Sequence, residues 1–215
     1  MTRIFKQTAK LASVVLAISA MCTVLVAQMS AAAREPQEQV LFDFSEAEAG
    51  RQWQTVNDGV MGGRSDGRFL IAGNGTIEFF GTLSLENNGG FASVRSRARQ
   101  LSFQEGDSLV ARVRGDGRQY TLNLYVPRRR MAFSYRVEFQ TKTDEWMEVR
   151  VPLKDFVATS FGRIVRGSGP VNPQQVNSIG FLLGDKKPGP FKLEVDWIKV
   201  EAARTDKSNQ IVDSL

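Results

Sequence analysis

The chain of 215 residues carries 28 Lys and Arg against 23 Asp and Glu, with a single cysteine, Cys22, and no histidine. The commonest general base and the usual zinc ligand are therefore missing, and one thiol builds neither a disulfide framework nor a thiolate metal site. Three of the basic residues and none of the acidic ones lie in residues 1–33, leaving the remainder at a net charge of only +2, so charge gives no reason to expect a nucleic-acid partner.

Arg3, Lys6 and Lys10 precede an uncharged run over residues 11–33 that ends Ser30-Ala31-Ala32-Ala33 before Arg34. That order is the order of a secretory signal peptide cleaved after Ala33, and it predicts an exported protein, periplasmic or secreted. The run is also long enough to span a bilayer, so residues 11–33, if uncleaved, would be an anchor and the expected membrane contact. Residues 34–39 and 202–215 are polar and poor in large apolar side chains, and read as a flexible lead-in and a flexible tail.

Between these ends, residues 40–201 alternate apolar and polar side chains and are cut at short intervals by Gly, Asn, Asp and Pro. The pattern predicts antiparallel strands near 40–44, 51–56, 68–71, 75–85, 90–98, 107–115, 118–126, 131–139, 145–152, 176–184 and 191–201. Leu109, Ala111 and Val113 share one strand face while Arg112 and Arg114 take the other, and Gly115-Asp116-Gly117 turns the chain back through a hairpin. A short turn is expected at 153–157 and a long loop at 159–175. With no convincing helical stripe, the fold class is all-β: a two-sheet antiparallel β-sandwich of jelly-roll type.

The stretch TVNDGVMGGRSDGRF, residues 55–69, interrupts this regularity. Its candidate binding residues are Asn57, Asp58, Met61, Gly62, Gly63, Arg64 and Asp66: an adaptable thioether, two glycines that admit a close approach, and polar flanks. The alternative is a loop folded on itself, with Asn57 and Asp58 bonding backbone amides and Met61 plugging the core. An ordered loop is expected either way, with Val60 and Met61 preferring burial. Asn87-Asn88-Gly89-Gly90-Phe91 is a second turn, with Asn88 a further binding candidate, Phe91 buried, and a place beside the first.

Trp53, Trp146, Trp197, Tyr120, Tyr125 and Tyr135 are the candidates for stacking on a sugar. Trp197 shares parity with Leu193 and Val195, which predicts burial, whereas Tyr125 lies opposite Tyr120, Leu122 and Leu124. Tyr125 and Tyr135, joined by a basic strand face of Arg95, Arg97 and Arg99, would form a carbohydrate groove. Arg128-Arg129-Arg130 reads as a hairpin tip, Arg114-Gly115-Asp116 and Asn74-Gly75-Thr76 as turns. Asp43 and Asp196, on the first and last strands, are a conceivable calcium pair, although no metal is assigned. A carboxylate pair drawn from Asp58, Asp66 and Glu86 is the one hydrolytic alternative. No P-loop, dinucleotide fingerprint or nucleophile elbow occurs, so neither a cofactor nor a catalytic residue is expected.

WQTVNDGVMGGRSDG at 53–67, GTLSLENNGGFASVRS at 81–96, VRGDGRQY at 113–120, EWMEVRVPLKDF at 145–156 and GPFKLEVDWIKV at 189–200 together resemble the complex I intermediate-associated protein 30 family. The resemblance implies a galactose-binding-like β-sandwich related to carbohydrate-binding modules. It also implies non-enzymatic work, since mitochondrial members act as assembly chaperones for respiratory complex I. The expectation is therefore an exported, bacterial-type member that binds a protein partner, or alternatively a carbohydrate-binding module of the cell envelope that binds a glycan.

Overall fold

Among the described residues thirteen strands form, most of them where the period-two pattern is strong, and they pair into two antiparallel sheets. The computed structural model describes residues 38–127 and 132–203, which belong to one compact unit. The six-stranded sheet runs β3 (Asp66–Ile71), β4 (Ile77–Leu83), β13 (Gly189–Glu201), β6 (Ser108–Arg114), β9 (Trp146–Pro152), with β1 (Glu38–Asp43) also paired to β13. The seven-stranded sheet runs β11 (Arg163–Ile164), β10 (Val157–Ser160), β8 (Phe133–Gln140), β7 (Gln119–Tyr125), β12 (Ser178–Leu183), β5 (Ala92–Ser96), β2 (Trp53–Thr55).

The inward faces meet in one core. Leu109, Ala111, Val113, Leu193 and Val195 supply it from the first sheet, and Val94, Tyr120, Leu122, Leu124 and Phe181 from the second. Burying a side chain of this size stabilises by roughly 1.5–3 kcal/mol, and with no cysteine among residues 38–203 the fold rests on such packing. The chain turns at 115–117 but not into the expected hairpin: β6 and β7 belong to different sheets, so the turn carries the chain from one layer to the other. It is fixed by Asp116, whose carboxylate accepts from the Arg118 amide at 3.1 Å and the Lys192 amide at 2.8 Å.

Some elements differ from the expectation. β1 begins at Glu38, so the last two residues of the supposed lead-in are paired, Glu38 with Glu201 and Gln39 with Val200. A 3-10 turn over Ala47–Gln52 shortens the strand expected at 51–56 to three residues. β10 and β11 lie partly within the loop expected at 159–175, and 153–157 contains a single 3-10 turn, Leu153–Asp155.

The largest correction is Trp197. Val195 faces Val113 but Trp197 faces Arg112, so Asp196 is an extra residue that bulges out of β13. A one-residue bulge reverses the parity of everything after it. Ile198 and Val200 therefore enter the core, while Trp197 stands half-buried on the outer face with the Lys199 ammonium 4.1 Å from its ring centre.

Candidate functional site

The glycine motif of residues 57–67 folds around one carboxylate. Asp58 opens a 3-10 turn, Asp58–Met61, that Gly62 closes at φ 90°. Its side chain is fully buried. Oδ1 accepts from the Ser65 amide at 2.9 Å, and Oδ2 accepts from the Ser65 hydroxyl at 2.5 Å, the Gly90 amide at 2.7 Å and the Phe91 amide at 3.2 Å. Burial alone would push this carboxyl up, but the bonds from Ser65, Gly90 and Phe91 outweigh it and hold Asp58 below the usual carboxylate range. Gly63 lies so near that a Cβ there would be 2.4 Å from Asp58 Cγ. Ser65 Oγ also accepts from the Ser84 amide at 3.1 Å, Asn57 Nδ2 donates to the Gly67 carbonyl at 2.9 Å, and exposed Arg64 pairs with Glu86 at 2.8 Å.

The two glycine motifs thus stand side by side, joined through Asp58. Val60 and Met61 do not follow the expected burial: they are 74% and 50% exposed. The tight turn folds the loop's backbone onto the Asp58 carboxylate and leaves the two apolar side chains outside. Phe91, expected to be buried, is half-buried, and Asn88 is exposed in the left-handed region at φ 58°.

Val60 and Met61 hang over a groove of about 590 Å³ on the outer face of the seven-stranded sheet. Register places Arg95, Gly180, Asn123, Arg136 and Val157 in one row across five strands. Thr121, Asn123, Ser134 and Thr159 form a buried polar floor, in which Ser134 Oγ donates to Asn123 Oδ1 at 3.0 Å and Thr159 Oγ1 to the Ser134 carbonyl at 3.2 Å. Arg95 lies across the Tyr125 ring, its guanidinium carbon 4.7 Å from the centroid, and donates through Nε to Ser93 Oγ at 3.1 Å. Gly180 permits this stack, because a Cβ there would meet Arg95 Cγ at 3.0 Å and Tyr125 Cε2 at 3.2 Å. Burial pushes the Tyr125 phenol up to about 12, with the Arg95 charge acting the other way. Across the groove, Phe161 is 58% exposed beside Gly162, whose carbonyl accepts from Arg136 Nη2 at 2.9 Å.

Tyr135 does not join this face. It sits on β8 with the inward parity of Phe133, 2% exposed, its ring edge-on to Phe133 with centroids 5.3 Å apart. The basic strand face reduces to Arg95, since β5 ends at Ser96, Arg97 turns back to the Arg51 carbonyl at 3.0 Å and Arg99 covers Phe42. Asp66 pairs with Arg68 and Glu86 with Arg64, so the acids considered for hydrolysis have separate engagements from Asp58. Asp196 pairs with Arg112 and Asp43 accepts from the Ser45 amide, and no group of three or more potential metal-binding side chains occurs among the described residues. Arg128-Arg129-Arg130 and residues 1–33 lie outside the described residues. The floor hydroxyls, Arg136 and Phe161 are not legible as a site in the sequence: period two marks Thr121, Ser134 and Arg136 as an outer face without saying whether that face is concave, and Thr159 and Phe161 fall in the stretch expected to be a loop.

Two stacked antiparallel sheets with a cleft across one of them define a jelly-roll, galactose-binding-like β-sandwich. A family 11 carbohydrate-binding module from a Clostridium thermocellum cellulase superposes with a TM-score of 0.60 at 14% identity, covering 80% of this chain and 99% of the module. An agarase, AgWH50C, gives 0.55 at 12% identity over 79% of this chain and 25% of the enzyme. Residues 42–195 match the family described as complex I intermediate-associated protein 30, and the chain belongs to that family.

The mitochondrial complex I intermediate-associated protein 30 of Mus musculus is 32% identical over 185 residues, spanning 76% of this chain and 56% of the mouse protein. The Drosophila melanogaster protein of the same name is 26% identical over 190 residues, spanning 78% of this chain and 64% of its own. The chain thus spans less than two thirds of either relative. Relatives in mouse, fly and Neurospora crassa are all named mitochondrial, which overturns the expectation of export. A basic start, an apolar run and small residues are a compositional signal, and composition alone does not say which membrane such a segment addresses.

Proposed function

We propose that this chain is a non-catalytic assembly factor that binds protein components of respiratory complex I, and that it works beside that complex rather than outside the cell. Its groove on the seven-stranded sheet is the partner surface. The observation that carries this reading is the pair of apolar rims, Val60 with Met61 at one edge and Phe161 at the other, left in water around a polar floor. Apolar side chains held out by an ordered turn favour a partner that covers them. Capture with the full chain followed by identification of the bound proteins tests it. Complex I subunits are the expected catch, and their absence from repeated captures would overturn the assignment.

A glycan partner is less well supported. Sugar recognition uses an open aromatic face, yet Tyr125 lies under Arg95, Trp146 under Arg112 and Arg114, and Trp197 under Lys199, which leaves Phe161 at the rim as the exposed ring beside the groove. Calorimetric titration with a mixed-linkage β-glucan is expected to give no binding heat.

A further inference from the structure

We infer that the groove takes an extended protein segment bearing a carboxylate near one end and an apolar side chain near the other, with Arg95 pairing the carboxylate and Phe161 covering the apolar group. This rests on the protein-binding reading above and specifies its partner. The first ground is charge: none of the described residues lining the groove is an Asp or Glu, while two are arginines. Arg136 is committed to the Gly162 carbonyl and stands 3.8 Å from Glu138. Arg95 has no carboxylate within ion-pair distance among the described residues; its Nε is held by Ser93 and its plane by Tyr125. A guanidinium fixed in this way has lost little freedom still to lose on pairing with a carboxylate, and its η nitrogens suit the planar, two-oxygen geometry of that group.

The second ground is spacing. Arg95 lies on β5 and Phe161 follows β10, with β12, β7 and β8 between them. At the usual strand separation those four steps span roughly 19 Å. Val157 is the residue level with Arg95, and Phe161 lies four residues beyond it, roughly 13 Å along the strand. An extended chain covers the diagonal of roughly 23 Å in about seven residues. The Val60 and Met61 side chains then close over the acidic end, and exclusion of water there strengthens the ion pair.

The test places the photo-crosslinking residue benzoylphenylalanine at Phe161 or Met61 in the full chain, captures partners, and maps the crosslinked segments. Segments joined to position 161 are expected to carry Asp or Glu about seven residues from the crosslink. Arg95→Glu, with an unchanged melting curve, is expected to weaken capture about tenfold or more, and an acid-to-Arg change in the mapped segment to restore it. Arg95→Gln serves if the charge reversal does not fold. Capture of complex I subunits that is indifferent to Arg95→Glu and Arg95→Gln, crosslinks to segments without an acid, or crosslinks to an acidic polysaccharide would overturn the inference while leaving an assembly role standing. Recovery of no complex I subunit by the unsubstituted chain would remove both.

Discussion

The carboxylate of Asp58 accepts a hydrogen bond from the amide of Gly90 at 2.7 Å, across 32 positions of sequence. This bond, with its companions from Ser65 and Phe91, fixes the loop that carries Val60 and Met61 against the start of β5. The rim of the groove is therefore held in place by a residue that does not line it.

Asp58→Ala should lower stability by about 3–5 kcal/mol, because it strips buried donors of a charged acceptor. Gly63→Ala should destabilise through the same carboxylate, since its methyl would occupy Asp58's place. The double variant should then cost much less than the sum of the singles. Gly59→Ala is the control, with nothing within 4 Å of the added methyl. Urea unfolding of the set decides; strict additivity of Asp58→Ala and Gly63→Ala would mean that they act separately.

Acid should destabilise the fold. Asp58, Asp185 and Glu194 all sit below the ordinary carboxylate range: in each, burial acts upward and is outweighed, by Ser65, Gly90 and Phe91 for the first, by Arg118 and Lys187 for the second and by Arg114 and Lys192 for the third. A depressed folded value contributes stability that is fully present above the unfolded value, near pH 4, and is lost as pH falls toward the folded one. The urea midpoint should hold from neutrality to about pH 5 and then decline, less steeply in Asp58→Asn. At the alkaline end Tyr125, raised to about 12 by burial, should withdraw stability as pH climbs past the ordinary phenol value near 10. A midpoint unchanged between pH 6 and pH 3 would contradict the first part.

Gly180→Ala should cost roughly 1–3 kcal/mol, since its methyl would crowd the Val94 carbonyl at 2.7 Å as well as Arg95 and Tyr125. More telling is its effect on partner capture, which should fall together with that of Arg95→Gln. Amide shifts in labelled protein confined to β5, β7 and β12 would locate the damage at the stack.

The bulge at Asp196 gives the tryptophans unequal burdens. Trp53 is 2% exposed, and Trp53→Ala should cost about 3–5 kcal/mol; Trp197→Ala, on the outer face, should cost no more than about 1 kcal/mol. Equal losses in thermal melts would argue that Trp197 reaches the core after all.

Where each residue's own chemistry decides its place, the sequence was readable. Leu109, Ala111 and Val113 alternate without interruption and lie inward as expected; Gly115-Asp116-Gly117 turns where its composition demands, but composition does not say that the next strand joins the other sheet instead of closing a hairpin. Trp197 was misread because one additional residue leaves the local alternation of β13 intact while reversing its sense, and only the pairing partner on β6 reveals the slip. Asp58 could be recognised as a backbone-binding residue, but its donors come from Gly90 and Phe91, too far along the chain for local spacing to reveal. Val60 and Met61 were assigned by hydrophobicity, which records a preference for leaving water and not which surface receives them. β10 and β11 are four and two residues long, too short for alternation to register.

The pairing of Glu38 with Glu201 brings the domain's two ends to neighbouring positions, roughly 5 Å apart at the backbone. The sandwich is in effect a plug-in cassette: it can be spliced into a longer polypeptide with little strain at the junctions, or permuted by a short splice from Glu201 back to Glu38 and a new opening elsewhere. Both ends also belong to the six-stranded layer. A tag, tether or added domain spliced there starts from the side away from the groove and leaves the cleft open.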